Sequence, residues 1–126
     1  MSEVASEIVT LTNQERAKHG LSALTKDSTL MASAKSHTVY MFENNSFKHT
    51  TKYNVGENIF KIAATSETKF TAAHIVASWM ASTGHRANIL NPDYTKMGAG
   101  VVKGQLYNTQ LGRNINTLFA TQHFNR

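Results

Sequence analysis

A chain of 126 residues that is 40% hydrophobic with a single proline can bury one substantial core but not two, so one domain over residues 1–126 is expected and disorder is not. Lys and Arg outnumber Asp and Glu by 13 to 8, but the cations are scattered, which excludes the basic stripe with stacking aromatics of a nucleic-acid binder. The absence of cysteine excludes disulfides and thiolate metal sites.

In chain order, Met1-Ser2-Glu3-Val4 shows no basic segment leading into an apolar one, and nowhere do about 18 apolar residues run together, so neither an export signal nor a membrane span is read. Val4, Ile8 and Leu11 recur at helical spacing, and Gly20 supplies the stop. Asn13 and Arg16 share one face of this first helix and are expected to lock it to a sheet. Asp27 or Ser28 caps a second helix with Leu30, Ala34, His37 and Met41 inward, broken at Asn44-Asn45-Ser46. A third helix is expected from Ser66-Glu67 to about Ser82, with Phe70, Ala73, Val76, Ala77 and Met80 inward and Trp79 as a large core anchor. After Pro92 the pattern becomes that of strands, over residues 97–103, 105–110 and 116–124, with turns at Gly104 and Gly112-Arg113-Asn114. Gly98 and Gly100 mark a bulge or a close backbone approach. Helices first and strands last predict an α+β fold.

Six histidines are present, and four read as ordinary. His19 ends a helix, where a cation suits the dipole. His37 lies on an apolar face as a core residue, and His74 lies beside the inward stripe of helix three. His123 alternates with Gln122 on the last strand, so the two face opposite sides of the sheet; Gln122 is assigned to the site and His123 away from it. His49 and His85 differ. The first stands in the loop Phe47-Lys48-His49-Thr50-Thr51, and the second follows Gly84. With Glu57 they offer the imidazoles and carboxylate that a Zn-like ion prefers. Arg86, Asn88 and Asn91 are expected to tie the loop around His85 to neighbouring backbone.

The segments Asn13-Gln14-Glu15-Arg16, His49-Thr50, Gly56-Glu57-Asn58-Ile59, Trp79 through Pro92, Met97-Gly98-Ala99-Gly100 and Thr121-Gln122-His123-Phe124 resemble, in this order, the bacterial branch of the CAP superfamily, also called the SCP/PR-1-like or YkwD-like domain. The resemblance runs over a core of about 8–124. It implies a single-domain α-β-α sandwich, with helices packed on both sides of a small antiparallel sheet that also takes a short strand near 55–60. It implies an extracellular, cell-surface or cell-envelope location. It also makes His49 and His85 the two cavity histidines and Glu57 the first cavity glutamate. One position departs from the pattern: where animal and plant members place a second glutamate, three residues after the tryptophan, this chain has Ser82.

The expected site is therefore a cleft formed by His49, Glu57 and His85 and lined by Ser82, Arg86 and Gln122, with His49 and His85 as ligands for Zn or another divalent metal. No phosphate-cradling loop, Gly-x-Ser-x-Gly elbow or His-Glu-x-x-His helix is present. The leading expectation is non-enzymatic binding of a small ligand, lipid or protein partner, with no nucleic acid and no transmembrane segment. Two alternatives stand beside it: a metal-dependent hydrolase or peptidase with Glu57 as general base, and lipid or sterol binding.

Overall fold

The computed structural model describes residues 1–126 as four helices and a four-stranded sheet, with α1 (Ser2–Lys18), β1 (Thr25–Lys26), α2 (Ser28–Glu43), β2 (Gly56–Ala64), α3 (Ala72–Met80), α4 (Thr83–Ile89), β3 (Lys96–Asn108) and β4 (Arg113–Asn125) in chain order. The strands lie in the order β1-β3-β4-β2. The two long neighbours β3 and β4 form an antiparallel hairpin, and β2 adds antiparallel to β4. The two-residue β1 pairs parallel to β3, through Thr25 opposite Lys96, so the sheet is mixed rather than purely antiparallel. No helix is long and apolar enough to cross a membrane.

Strand alternation divides the molecule into layers. On one face Met97, Ala99, Val101, Leu118, Ala120 and Phe124 join Ile8 and Val9 of α1, Ile75, Val76 and Trp79 of α3, and Ile89 of α4 in the main apolar core. On the other face α2 lies directly on the sheet, where Met41, Ile59 and Phe119 form a smaller cluster. The helices thus sandwich the sheet, as an α+β reading requires.

Close approach of α2 explains the glycines of β3. A Cβ at Gly98 would overlap the backbone of Leu30 and Met31, and one at Gly100 would overlap that of Ala34 and Lys35. Both glycines keep regular pairing with His123 and Thr121, so no bulge is present and the side chain is absent because the helix backbone takes its place. Gly104 serves the same purpose against the Phe42 ring. It is not a turn, and the two strands expected around it are one.

The hairpin turns earlier than expected, over residues 109–112: Gly112 N–H donates to Asn108 C=O at 2.8 Å, Leu111 N–H donates to Asn108 Oδ1 at 3.0 Å, and Gly112 takes a positive φ of 66°, which glycine adopts without strain. Gly20, at φ 72°, ends α1 as its sequence predicts, and Asp27 caps α2 by accepting from Leu30 N–H at 3.0 Å. Leu30, Ala34, His37 and Met41 are all buried.

Helix α3 starts later than its apolar residues suggest. β2 runs on to Ala64, and the side chain that satisfies the first orphan N–H is Thr71, accepting from His74 N–H at 3.1 Å. The inward stripe consequently shifts to Ala72, Ile75, Val76 and Trp79, while Ala73 and Ala77 face solvent. Helix α1 is likewise buried through Ala5, Ile8, Val9, Thr12 and Arg16, with Val4 and Leu11 at its margin.

Candidate functional site

The site is built at the outer edge of β2. Glu57 stands on the α2 face of that strand, directly opposite His123 of β4, and is 9% exposed. Its two oxygens accept three hydrogen bonds. Oε1 accepts from His49 Nδ1 at 2.7 Å and from Thr50 N–H at 2.9 Å; Oε2 accepts from His123 Nε2 at 2.7 Å. His37 Nε2 stands 3.9 Å from Oε2 and donates instead to Lys48 C=O at 2.8 Å. Burial pushes the Glu57 carboxyl up, but the donors His123, Thr50 N–H and His49, with the charge of His37, outweigh it and hold the group below the ordinary carboxylate range.

These bonds have a structural consequence. The loop after α2, which has no regular secondary structure until β2, is pinned at Lys48, His49 and Thr50 by two buried side chains, His37 and Glu57. His49 is thereby presented outward, its side chain 64% exposed.

His85 reaches the same edge from the opposite face. It lies in the first turn of α4, where its Nδ1 bonds Ser82 Oγ at 2.8 Å. Asn58, the neighbour of Glu57, donates through Nδ2 to His85 C=O at 3.1 Å. One turn on, Asn88 Nδ2 donates to Glu57 C=O at 3.2 Å and to Asn58 Oδ1 at 2.9 Å. Burial lowers the His85 imidazole below its ordinary value, and the charge of nearby His49 lowers it further. Trp79 completes the support by donating Nε1–H to Ile59 C=O at 3.0 Å, which caps the carbonyl next along that edge.

Arg16 carries the far side of the α4 loop. Fully buried, it donates to the carbonyls of Ser22, Ile89 and Asn91 at 2.8, 2.7 and 2.9 Å, and Asn13 exchanges two bonds with Leu24. Both residues lock α1 to loops rather than to the sheet itself.

Two residues expected in the cleft stand elsewhere. Gln122 is fully buried on the α1 face, donating to Thr12 Oγ1 at 2.8 Å and accepting from Asn58 Nδ2 at 3.2 Å. Arg86 is exposed and meets Nε2 of His19 at 3.1 Å, away from Glu57. The roles of Gln122 and His123 are thus the reverse of those expected, because β2 pairs with β4 in the register that sets Glu57 against His123. His37 also belongs to the site as the latch on Lys48. Its position on the buried face of α2, one turn before Met41, was the only signal of it in the sequence. Beside this cluster a groove of about 220 Å³ opens between α2 and the 48–53 loop, lined by Tyr40, Lys48, His49, Lys52 and Tyr53 among others.

A mixed sheet sandwiched by helices, with a loop histidine, a strand glutamate and a second histidine after the tryptophan helix, defines the CAP or SCP class. The chain belongs to that family: residues 9–124 match the model of the CAP domain, the cysteine-rich secretory protein family, even though this chain has no cysteine. It is 35% identical over 127 residues to the protein YkwD of Bacillus subtilis (strain 168), an alignment covering 87% of this chain and 47% of that one. Among solved structures it resembles an extracellular SCP-domain protein of Bacillus anthracis, with TM-score 0.72 and 23% identity over 99% of this chain and 41% of the other. It also resembles an outer surface protein of Borrelia burgdorferi, with TM-score 0.63 and 22% identity over 96% and 91% of the two chains. The chain spans about half the length of YkwD.

Proposed function

We propose that this CAP domain works outside the cell or at its surface as a non-enzymatic binding module, and that its cleft takes a divalent metal such as Zn on His49 and His85. The location follows the extracellular and surface proteins it resembles. The observation that supports the metal reading is how each imidazole is held, in a chain where no group of three or more His, Asp or Glu side chains forms a fuller ligand set. In each, Nδ1 is engaged, by Glu57 in His49 and by Ser82 in His85, while Nε2 makes no hydrogen bond. A carboxylate or hydroxyl on one ring nitrogen, with the other left as a lone-pair donor, is how metal-binding histidines are oriented. On this reading Ser82, which stands where a second glutamate is usual in the family, orients His85 instead of ligating.

Two imidazoles with water in the remaining positions make a weak site compared with the usual three protein ligands. Glu57 is an orienting group and not a general base, because its oxygens already accept three hydrogen bonds and the carboxyl is held below its ordinary range. A base poised near neutral pH needs the opposite shift.

Calorimetric titration with Zn tests the reading. Binding is expected in the wild type near neutral pH and is expected to be lost in both His49→Ala and His85→Ala, with Glu57→Gln weakening it by loss of orientation. Zn heat that persists in the double histidine variant would place the metal elsewhere and end the proposal.

A further inference from the structure

The groove beside the cleft carries a ligand chemistry of its own. Its walls hold two tyrosines and two lysines in matched pairs: Lys48 Nζ stands 5.7 Å from the Tyr40 ring centroid, and Lys52 Nζ stands 5.4 Å from that of Tyr53. No carboxylate lines the groove. The lysine ion pairs of the molecule join Lys18 to Glu15 and Lys103 to Glu67, which leaves Lys48 and Lys52 without an acidic partner. Tyr40 is 45% exposed, with the unpaired Lys48 ammonium over its ring.

The groove is also built in advance of any ligand. His37 holds Lys48 C=O, and Glu57 holds Thr50 N–H, so the backbone that presents both lysines is fastened to buried groups at two points. Tyr40 lies 6.0 Å from His37 with the rings within 15° of parallel, and Tyr53 packs 5.8 Å from His123. Rigid presentation lowers the ordering cost of binding.

We propose that this groove binds an acidic glycan, with sugar rings against Tyr40 and Tyr53 and the carboxylate or phosphate groups of the chain at Lys48 and Lys52. The repeat of an aromatic with a cation fits a ligand that repeats a flat apolar face with a negative charge. Hydroxyls of Ser36 and Thr51 in the lining suit a polyhydroxylated ligand, as each can both donate and accept. A protein partner would need an apolar pocket for an anchoring side chain, whereas only the two tyrosines here are hydrophobic. Single-stranded nucleic acid also pairs aromatics with cations, and an oligothymidylate in the test below tells it from a glycan. The inference goes beyond the metal reading and does not require it.

The test is calorimetric binding of tetragalacturonate, a phosphorylated mannan oligosaccharide, neutral maltotetraose and an oligothymidylate to the whole chain in low salt with EDTA, so that metal plays no part. At least one of the two acidic glycans should bind, about tenfold or more tighter than maltotetraose, since each charge-assisted contact is worth on the order of a factor of ten. Which of them binds tells carboxylate from phosphate recognition. The Lys48→Met/Lys52→Met double variant should lose about tenfold or more, Tyr40→Ala should weaken binding as well, and Lys18→Met should leave it unchanged; unfolding midpoints establish that all are folded. Absence of binding by both acidic glycans at millimolar concentration, equal binding of maltotetraose, tighter binding of the oligothymidylate, or an equal loss in Lys18→Met would each overturn the proposal.

Discussion

His123 Nε2 donates to Glu57 Oε2 at 2.7 Å across the β4–β2 pair, and on its other side His123 Nδ1 meets Ser33 Oγ of α2 at 2.8 Å. The ring, with no exposed surface, therefore ties the sheet edge to the helix that covers it. With Nε2–H directed at the carboxylate and Nδ1 bonded to the Ser33 hydroxyl, both ring nitrogens are satisfied.

Removing that ring should be costly. His123→Ala is expected to destabilise the fold by about 3 kcal/mol or more, because a buried carboxylate loses a charge-assisted donor and Ser33 keeps only its bond to Leu30 C=O. His49→Ala removes a donor from the same carboxylate but at an exposed position, and water can replace it, so its cost should be smaller. Urea unfolding of the two variants measures the difference; equal losses would mean that the Glu57 network does not hold the fold.

Trp79→Ala should cost about 3–5 kcal/mol, the range for emptying a large aromatic site, since Trp79 is 1% exposed in the main core and also caps Ile59 C=O. His85→Ala, at the partly exposed start of α4, should cost less. Chemical denaturation of both variants decides it, and a matching loss would make His85 a structural residue.

Gly98→Ala should destabilise although its backbone conformation suits alanine, because the new methyl group would meet the backbone of α2 and not a movable side chain. About 1–3 kcal/mol is expected for forcing the helix away. Gly84→Ala, where a Cβ meets nothing within 4 Å, is the matched control. Thermal unfolding of the pair reads the contrast, and a neutral Gly98→Ala would show that α2 is not seated on β3.

Acid should loosen the site in two stages. His85 is lowered below its ordinary value and Glu57 below the ordinary carboxylate range, so in both cases the unfolded chain binds protons more readily than the folded one. The stability each contributes is complete above its unfolded pKa and is lost as pH falls through the folded one. Unfolding free energy should therefore decline first below the ordinary histidine range and again below that of glutamate. In Glu57→Gln the second decline should shrink; an unchanged acid limb in that variant would remove Glu57 from the account.

How much of this was readable beforehand differs by element, for physical reasons. Helix α2 was legible because its cap, its apolar face and its breaker are all local. The start of α3 was not, since Ser66 and Thr71 are both chemically good caps and only the length that β2 claims through pairing with β4 selects between them. Gly104 looked like a turn because a glycine required by a neighbouring ring leaves the same mark as one required by φ. Alternation established that Gln122 and His123 face opposite ways, but the side on which Glu57 stands depends on a pairing between residues 57 and 123 that no local pattern carries. The bond between His49 and Glu57 joins two residues picked out by motifs that resemble the family, whereas the supporting His37 reads as core and His123 as facing away from the site.

The most direct test of the cleft is to follow all six imidazoles by long-range proton–nitrogen NMR during a Zn titration near neutral pH. The account predicts that Nε2 of His49 and Nε2 of His85 shift together along one saturation curve, with His19 and His74 unmoved and His37 and His123 keeping their buried tautomers. Zn-dependent shifts at His19 or His74 with His85 unmoved, or separate saturation of His49 and His85, would contradict a single site shared across the β2 edge.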